Sequence, residues 1–380
     1  MSFRKLGLPT TLVAALAEQQ YKKAYPIQTA AIPAILQKKN ILGIAKTGSG
    51  KTASFVLPIL TNLQGSKLLK NRHPSVLVLV PTRELAVQVG AVFKLFSKAL
   101  PDRVKTVTVY GGVSINPQMM GMNGVQVLVA TPGRLLDLVD SKAVHLSAVQ
   151  TLVLDEADKM LNLGFKEEMN QILGLLPQKR QNLLFSATLS PDLDSLSAIL
   201  MKDPVVIKIE TEEKSTDQIQ QSGYFVSETE KGPLLRYLIK TKNLQQVLVF
   251  TSSGYKADNV ANKLRKNGIK AAAIHGKKSQ SARNNALNQF KAGNLPILVA
   301  TDLLSRGIDI AFLPCVINYE LPRSPKDYIH RIGRTGRAEN SGIALSFVSP
   351  ENVHHFKVIL KKSKLYVDML DSATLDLKGY

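Results

Sequence analysis

The chain has 380 residues, with 49 Lys and Arg against 29 Asp and Glu, and a formal net charge of +20. At roughly 100–200 residues per domain, the length predicts two domains. With 44% hydrophobic and only 21% charged residues, the composition excludes a disordered polycation, a collagen or a coiled coil as the main architecture. Residues 1–210 hold 24 basic and 14 acidic side chains and residues 211–380 hold 25 and 15, so each half carries +10. An even surplus argues for a polyanion-binding surface shared by both halves, with nucleic acid ahead of a merely solvated basic face. The single cysteine, Cys315, and the missing apolar signal core point to a reducing cytoplasmic setting. No apolar run approaches the roughly 20 residues that span a bilayer, so a soluble chain without a membrane partner is expected.

Short β-branched or Leu-rich runs recur along the chain: 75–80, 105–110, 125–130, 151–154 and 182–185, then 246–250, 271–274, 297–300 and 315–319. Runs apolar on both faces and separated by helix-like stretches predict an α/β fold with mostly parallel sheets flanked by helices. The order repeats in each half. Polar, acid-rich Glu210–Gln221 divides them, giving a first domain over 1–208, a linker at 209–222, a second domain over 223–364 and a short, fraying tail at 365–380.

Apolar residues 40–44 lead into Ala45-Lys46-Thr47-Gly48-Ser49-Gly50-Lys51-Thr52, followed by a helix-like 53–57. Between a strand and a helix, such small residues let backbone N–H groups converge on phosphate oxygens. Lys51 adds a point charge, and the Thr52 hydroxyl can ligate Mg²⁺. Ala45 stands where the generic pattern has Gly, and a plain glycine-rich turn is the bland reading. About a hundred residues on, strand 151–154 runs into Asp155-Glu156-Ala157-Asp158. At the C-terminal end of a parallel strand, Asp155 can hold Mg²⁺, partly through water, and Glu156 can orient or deprotonate the attacking water. An acidic cluster there is otherwise a helix cap; paired with the phosphate loop it reads as an ATPase site.

With these motifs in place, residues 3–350 closely resemble the DEAD-box RNA helicases, and DEAD is spelled at 155–158. The resemblance implies two tandem RecA-like domains. It also implies that Gln28 of Tyr25-Pro26-Ile27-Gln28 reads adenine and that upstream Phe3 stacks on it, although Gln20, Ala24 and Tyr25 depart from the usual Gly, Pro and Thr. It assigns RNA-backbone contacts to Pro81, Thr82 and Arg83, to Gly112, and to Thr131 and Arg134. It assigns coupling of hydrolysis to strand separation to Ser186 and Thr188, through hydrogen bonds around Asp158.

In the second half, Phe250–Ser253, His275-Gly276 and Arg283 resemble RNA-binding segments. In Thr301–Asp309, Thr301 and Arg306 match RNA contacts and Asp309 matches the ribose contact. In His330-Arg331-Ile332-Gly333-Arg334-Thr335-Gly336-Arg337, the residues matching Arg334 and Arg337 are arginine fingers for the γ-phosphate. His330 matches the residue that contacts the Asp corresponding to Asp158. Arginines at 331, 334 and 337 would share roughly one face if helical, and a solvated stripe is the bland alternative. His354-His355 reads as surface, and Cys315 as core.

The motif chemistry by itself reaches a nucleic-acid-coupled ATPase. The resemblance extends this to ATP- and Mg²⁺-dependent closure of two domains on single-stranded RNA, local opening of short duplexes and remodelling of RNA–protein complexes, with little sequence preference. The chain looks most like the bacterial RhlE-type branch, which implies work in ribosome assembly or RNA degradation, as a monomer. The alternatives are an ATP-dependent RNA clamp or scaffold, a DNA translocase and a passive basic RNA chaperone.

Overall fold

The computed structural model describes residues 2–46, 48–66, 71–209, 219–302, 313–336 and 342–380. The chain divides into two compact units, Met1–Glu212 and Glu213–Tyr380.

The first unit is built on seven strands: β1 (Ile41–Ile44), β2 (Val76–Leu79), β3 (Thr106–Val109), β4 (Val127–Ala130), β5 (Thr151–Leu154), β6 (Gln181–Ser186) and β7 (Val205–Lys208). They lie in the order β3-β4-β2-β5-β6-β1-β7, every pairing parallel. Successive side chains along a strand point to opposite faces. Thus Val76, Val78, Val127, Val129, Val153 and Phe185 enter one core with the helices Pro26–Leu36, Lys51–Leu63 and Arg83–Ser97. Leu77, Leu79, Leu128, Leu152, Leu154 and Leu184 enter the other, with helices Pro132–Asp140, Lys166–Gly174 and Pro191–Leu200. Each such side chain, withdrawn fully from water, contributes about 1.5–3 kcal/mol. Two-faced burial is why these strands read as unbroken apolar runs.

The second unit repeats the plan with β8 (Ile219–Phe225), β9 (Val247–Thr251), β10 (Ala271–Ile274), β11 (Ile297–Thr301), β12 (Cys315–Asn318), β13 (Gly342–Val348) and β14 (Asp368–Asp371). Their order is β10-β11-β9-β12-β13-β8-β14, again all parallel.

Two segments differ from the sequence reading. The expected linker 209–222 overlaps β8, which begins at Ile219; that strand is polar because it lies next to the sheet edge and buries little of its length. The expected fraying tail 365–380 instead supplies β14, paired with β8 from Asp368↔Ser222 to Asp371↔Phe225. Beyond it Leu375 and Leu377 pack on the core and the Tyr380 ring meets Tyr237 edge-on at 5.2 Å. A few well-placed apolar side chains anchor a segment whose average composition is polar.

Because the strands are parallel, all their C-terminal ends open on one side of each sheet, where α/β proteins hold ligands. In the first unit the loops after β4, β2, β5, β6 and β1 are therefore neighbours in that order.

Candidate functional site

The loop between β1 and the helix Lys51–Leu63 turns on two glycines in left-handed backbone, Gly48 at φ 82° and Gly50 at φ 87°. A Cβ at Gly50 would lie 2.4 Å from Gln28 Nε2, so only glycine fits. Lys51 is buried, and its Nζ donates to the Ala45 carbonyl, folding the side chain back over the loop. Ser49 Oγ is buried without a hydrogen-bond partner among the described residues. An orphaned hydroxyl, a lysine and a helix N-terminus converging on one loop form a cradle that suits phosphate oxygens. Thr52 occupies the second position of that helix, while Thr47 lies outside the described residues.

Two strands away in the sheet, β5 is followed directly by Asp155, whose Oδ1 accepts from the Glu156 N–H at 2.9 Å. Burial pushes the Asp155 carboxyl up to about 6, against the opposing pull of the Lys51 ammonium. Burial likewise lowers Lys51, and Asp155, Glu156 and Asp158 counter it. Each charge offsets part of the cost of burying the other. Glu156 stands at φ 55°, a left-handed conformation that a side chain adopts at a cost of about 1–2 kcal/mol. Its carboxylate pairs with Lys159 at 2.7 Å. Among the described residues no cluster of three or more His, Cys, Asp or Glu is disposed to hold a metal. Asp155 and Thr52 suit a Mg²⁺ that takes its remaining oxygens from phosphate and water.

The end of β6 joins this cluster. Thr188 Oγ1 donates to Asp158 Oδ2 at 2.8 Å, and Ser186 Oγ donates to the Thr188 carbonyl at 2.8 Å. The tripeptide thus touches the acidic motif directly. Gln28 is fully buried: its Oε1 accepts from Tyr25 N–H at 2.9 Å and its Nε2 donates to the Gly50 carbonyl at 3.1 Å. Phe3 lies at the start of the chain in the core of this unit. It is 4% exposed and packs edge-on to Tyr21 at a centroid distance of 6.4 Å.

The expected RNA-contacting residues of this unit lie on the same edge. Thr82 caps the helix Arg83–Ser97, accepting from Leu85 N–H at 3.3 Å. The Arg83 guanidinium lies over Gly112, where a Cβ would fall 2.0 Å from Nη1 and φ is 77°. Pro81 follows β2, and Thr131 follows β4. Arg134 bonds Asp137 Oδ2 at 3.1 Å and the Val113 carbonyl at 2.9 Å, tying the 111–115 loop to its own helix, while its Nη1 is buried with no hydrogen-bond partner among the described residues.

In the second unit, Thr301 closes β11 opposite Thr251 of β9. Arg283 Nη2 donates to Gln280 Oε1, and His275 Nε2 lies 3.0 Å from Asp258 Oδ2. Arg331, one of three arginines in the basic 330–337 segment and assigned no role there, is 2% exposed. It makes a two-pronged bond to Asp302 at 2.6 and 2.8 Å, reaches Asn318 Oδ1 at 3.0 Å and the Glu320 carbonyl at 2.6 Å, and lies 4.8 Å from the centroid of the Phe250 ring. Asp302 is thereby committed to the protein's own scaffold. Glu320 in turn accepts from Ser252 N–H at 2.7 Å and from Ser252 Oγ at 2.8 Å, and pairs with Lys256. The one available signal was Glu320 standing just after a strand. The helix Pro325–Ile332 is capped at Gly333, so Arg331 lies in its last turn with half-buried His330, and Arg334 lies in the turn that follows. Arg306, Asp309 and Arg337 lie outside the described residues. His354 is exposed, and His355 Nε2 lies 2.8 Å from the Pro322 carbonyl, consistent with a surface role.

Two parallel-sheet units, with a phosphate cradle in the first and Arg- and Thr-bearing segments after the strands of both, define a helicase-type ATPase. Residues 25–196 match the DEAD/DEAH box helicase family and residues 230–339 the helicase conserved C-terminal domain. The DEAD-box ATP-dependent RNA helicase CshA of Bacillus cereus is 39% identical over 376 residues, covering 99% of this chain and 70% of that protein. CshA of Limosilactobacillus reuteri is 38% identical over 366 residues, covering 96% and 72%. The solved structure of yeast Dbp5 bound to RNA and ADP BeF3 matches with a TM-score of 0.82 at 29% identity, covering 98% of this chain and 96% of that one. A DEAD box protein from the hyperthermophile Methanococcus jannaschii is 37% identical with a TM-score of 0.53, covering 97% and 99%. The chain belongs to the DEAD-box ATP-dependent RNA helicases. These relatives bear the name CshA, which gives the expected RhlE-type branch no support.

Proposed function

We propose that this chain is an RNA-dependent ATPase that couples ATP binding and hydrolysis to closure of its two domains on single-stranded RNA, opening short duplexes locally. The observation that carries the reading is the contact between Thr188 and Asp158 within one cluster that also holds Lys51, Asp155 and Glu156. It links the residues suited to hydrolysis to the strand end next door. In this reading the 45–52 loop holds the phosphates and Gln28 reads adenine. Asp155 and Thr52 hold Mg²⁺, which supplies charge neutralisation at the phosphoryl group, and Glu156 orients water. Arg334 and Arg337 stabilise the transferring phosphoryl group, Asp309 meets the ribose, and His330 answers Asp158. RNA runs along Pro81, Thr82, Arg83, Gly112, Thr131, Arg134, Arg283, Thr301 and Arg306, through contacts to sugar and phosphate. The first domain is assigned as 1–208, and the second begins with β8 at Ile219 instead of at 223. We assign a cytoplasmic monomer acting on ribosomal precursors or with RNA-degradation machinery. Among the described residues no helix is long and apolar enough to cross a membrane.

The test is steady-state ATP hydrolysis at fixed salt without nucleic acid, with single-stranded RNA and with DNA of the same sequence. Stimulation by RNA alone is expected; equal stimulation by DNA would sink the RNA assignment. Lys51→Ala and Glu156→Gln should each abolish turnover, the second while retaining ATP-dependent RNA binding.

A further inference from the structure

Glu156 stands in left-handed backbone at φ 55°, as the residue that opens the helix Ala157–Asn162. That backbone fixes where its side chain starts, but three rotatable bonds separate it from the carboxylate, and an unheld glutamate spreads over several staggered rotamers. One contact removes that freedom. Lys159 Nζ lies 2.7 Å from Glu156 Oε2, one helical turn along, with the two side chains 14% and 7% exposed. So little water reaches the pair that screening leaves its attraction largely intact. Lys159 is itself placed by its backbone: its N–H lies 2.9 Å from the Glu156 carbonyl and 3.0 Å from Asp158 Oδ1, on the carboxylate whose other oxygen accepts from Thr188. The ion pair engages Oε2 and leaves Oε1 as the oxygen through which Glu156 can hold water. Lys159 is also the weakest of the charges acting on Lys51 and on Asp155, so its tie is to Glu156 rather than to the phosphate cradle.

We infer that Lys159 is a positioning residue for hydrolysis, its ammonium holding the Glu156 carboxylate in the orientation from which it meets the attacking water. The inference rests on the proposed water-orienting role of Glu156 and adds to it the group that sets its geometry. Held in one rotamer, Glu156 has little to reorganise when the site is filled. Released, it meets the water for only a fraction of the time, and a misplacement of about 1 Å can cost about a hundredfold in rate.

The experiment measures RNA-stimulated ATP hydrolysis and, separately, equilibrium binding of ATP and of single-stranded RNA in the presence of ATP. It uses the full chain with Lys159→Met, Lys159→Arg and Glu156→Gln, and the double variant Lys159→Met with Glu156→Gln, the last two followed in single turnovers to read residual hydrolysis. Lys159→Met, similar in length but uncharged, should lower kcat by about ten- to a hundredfold while ATP and RNA affinities stay within about twofold of the parent. Lys159→Arg, which keeps a cation within reach of Glu156, should recover most of the lost kcat. In the Glu156→Gln background Lys159→Met should cost nothing further, because no carboxylate is left to hold. An unchanged kcat in Lys159→Met would overturn the inference, and so would a raised one, which would make the pair a restraint on Glu156. Loss of ATP or RNA affinity in step with kcat would overturn it by showing that Lys159 supports the binding site as a whole. Equal loss in the Glu156→Gln background would overturn it by showing that the lysine acts on the nucleotide directly, and failure of Lys159→Arg to recover kcat would overturn the role of its charge. Hydrolysis by Glu156→Gln at the parent's rate would instead bring down the water-orienting reading of Glu156 itself.

Discussion

Replacing Arg331 with Met should destabilise the second unit while leaving the first intact. Arg331 is 2% exposed and holds Asp302, Asn318 and the Glu320 carbonyl at once. Removing one partner of a buried ion pair costs about 3–5 kcal/mol because the other charge is stranded. Asp302 keeps 32% of its side chain exposed, and water would rescue it in part, which draws the cost toward the lower limit. Asn318, fully buried, keeps its bond to Ser346 Oγ at 3.2 Å but loses the donor to Oδ1, adding about 1–3 kcal/mol if nothing relaxes. These contributions share one geometry and do not add, so a net loss of about 3–4 kcal/mol is expected. Arg331→Lys keeps the charge but loses the fork, and about half that loss should remain. Native-state hydrogen exchange reads the two units separately. A loss of 3 kcal/mol is about a 150-fold fall in protection; it should appear across β9 and β12 and be absent from β1 and β5. Protection in β9 and β12 equal to that of the parent would refute the view that Arg331 ties the second sheet to the helix Pro325–Ile332.

Three further outcomes follow from the geometry. Thr188→Val removes the donor to Asp158 at 2.8 Å without changing side-chain volume much; ATP binding should persist while strand separation in a duplex-opening assay falls by at least about tenfold. Glu320 sits below its ordinary value of 4.5: burial pushes it up, and the bonds from Lys256 and Ser252 outweigh that push. A carboxylate lowered in the folded state contributes stability above its unfolded value and loses it as pH falls through the folded value. Glu320→Gln should therefore be less stable than the parent at pH 7, with the difference shrinking below about 4.5; a gap that is constant with pH would contradict the pairing. Burial pushes the Cys315 thiol up to about 12. It should resist maleimide at pH 8 in the folded chain and react fully in urea, and rapid labelling of the native protein would contradict its place in β12.

Much of the fold was legible because two-sided burial imprints itself on composition. Val76 to Leu79 and Thr151 to Leu154 are apolar at every β position that meets a core, so both sheets and their repeat could be read directly. The phosphate loop was legible for a different reason: φ values of 82° and 87° at Gly48 and Gly50, and the approach of Gln28, allow few residue types. The family resemblance extended that reading to residue roles. Edge elements were not legible, since β8 and β14 bury only part of their surface and carry polar sequences that resemble linker and tail. Nor could sequence show which charged groups are already occupied. Arg331 and Arg334 look alike in a basic segment, yet one is sunk among Asp302, Asn318 and Glu320 while the other lies past the helix end at Gly333. Phe3 and Tyr25 are alike in the same way: both are aromatic and near Gln28 in the chain's logic, and only packing turned one inward and left the other against the loop. Sequence determined the strands, the cradle and the chemistry available, because those follow from local conformational limits and solvent exclusion. Tertiary structure decided which side chains are committed to the scaffold, because the partners that commit them lie 11 to 30 residues away and arrive only when the sheet closes.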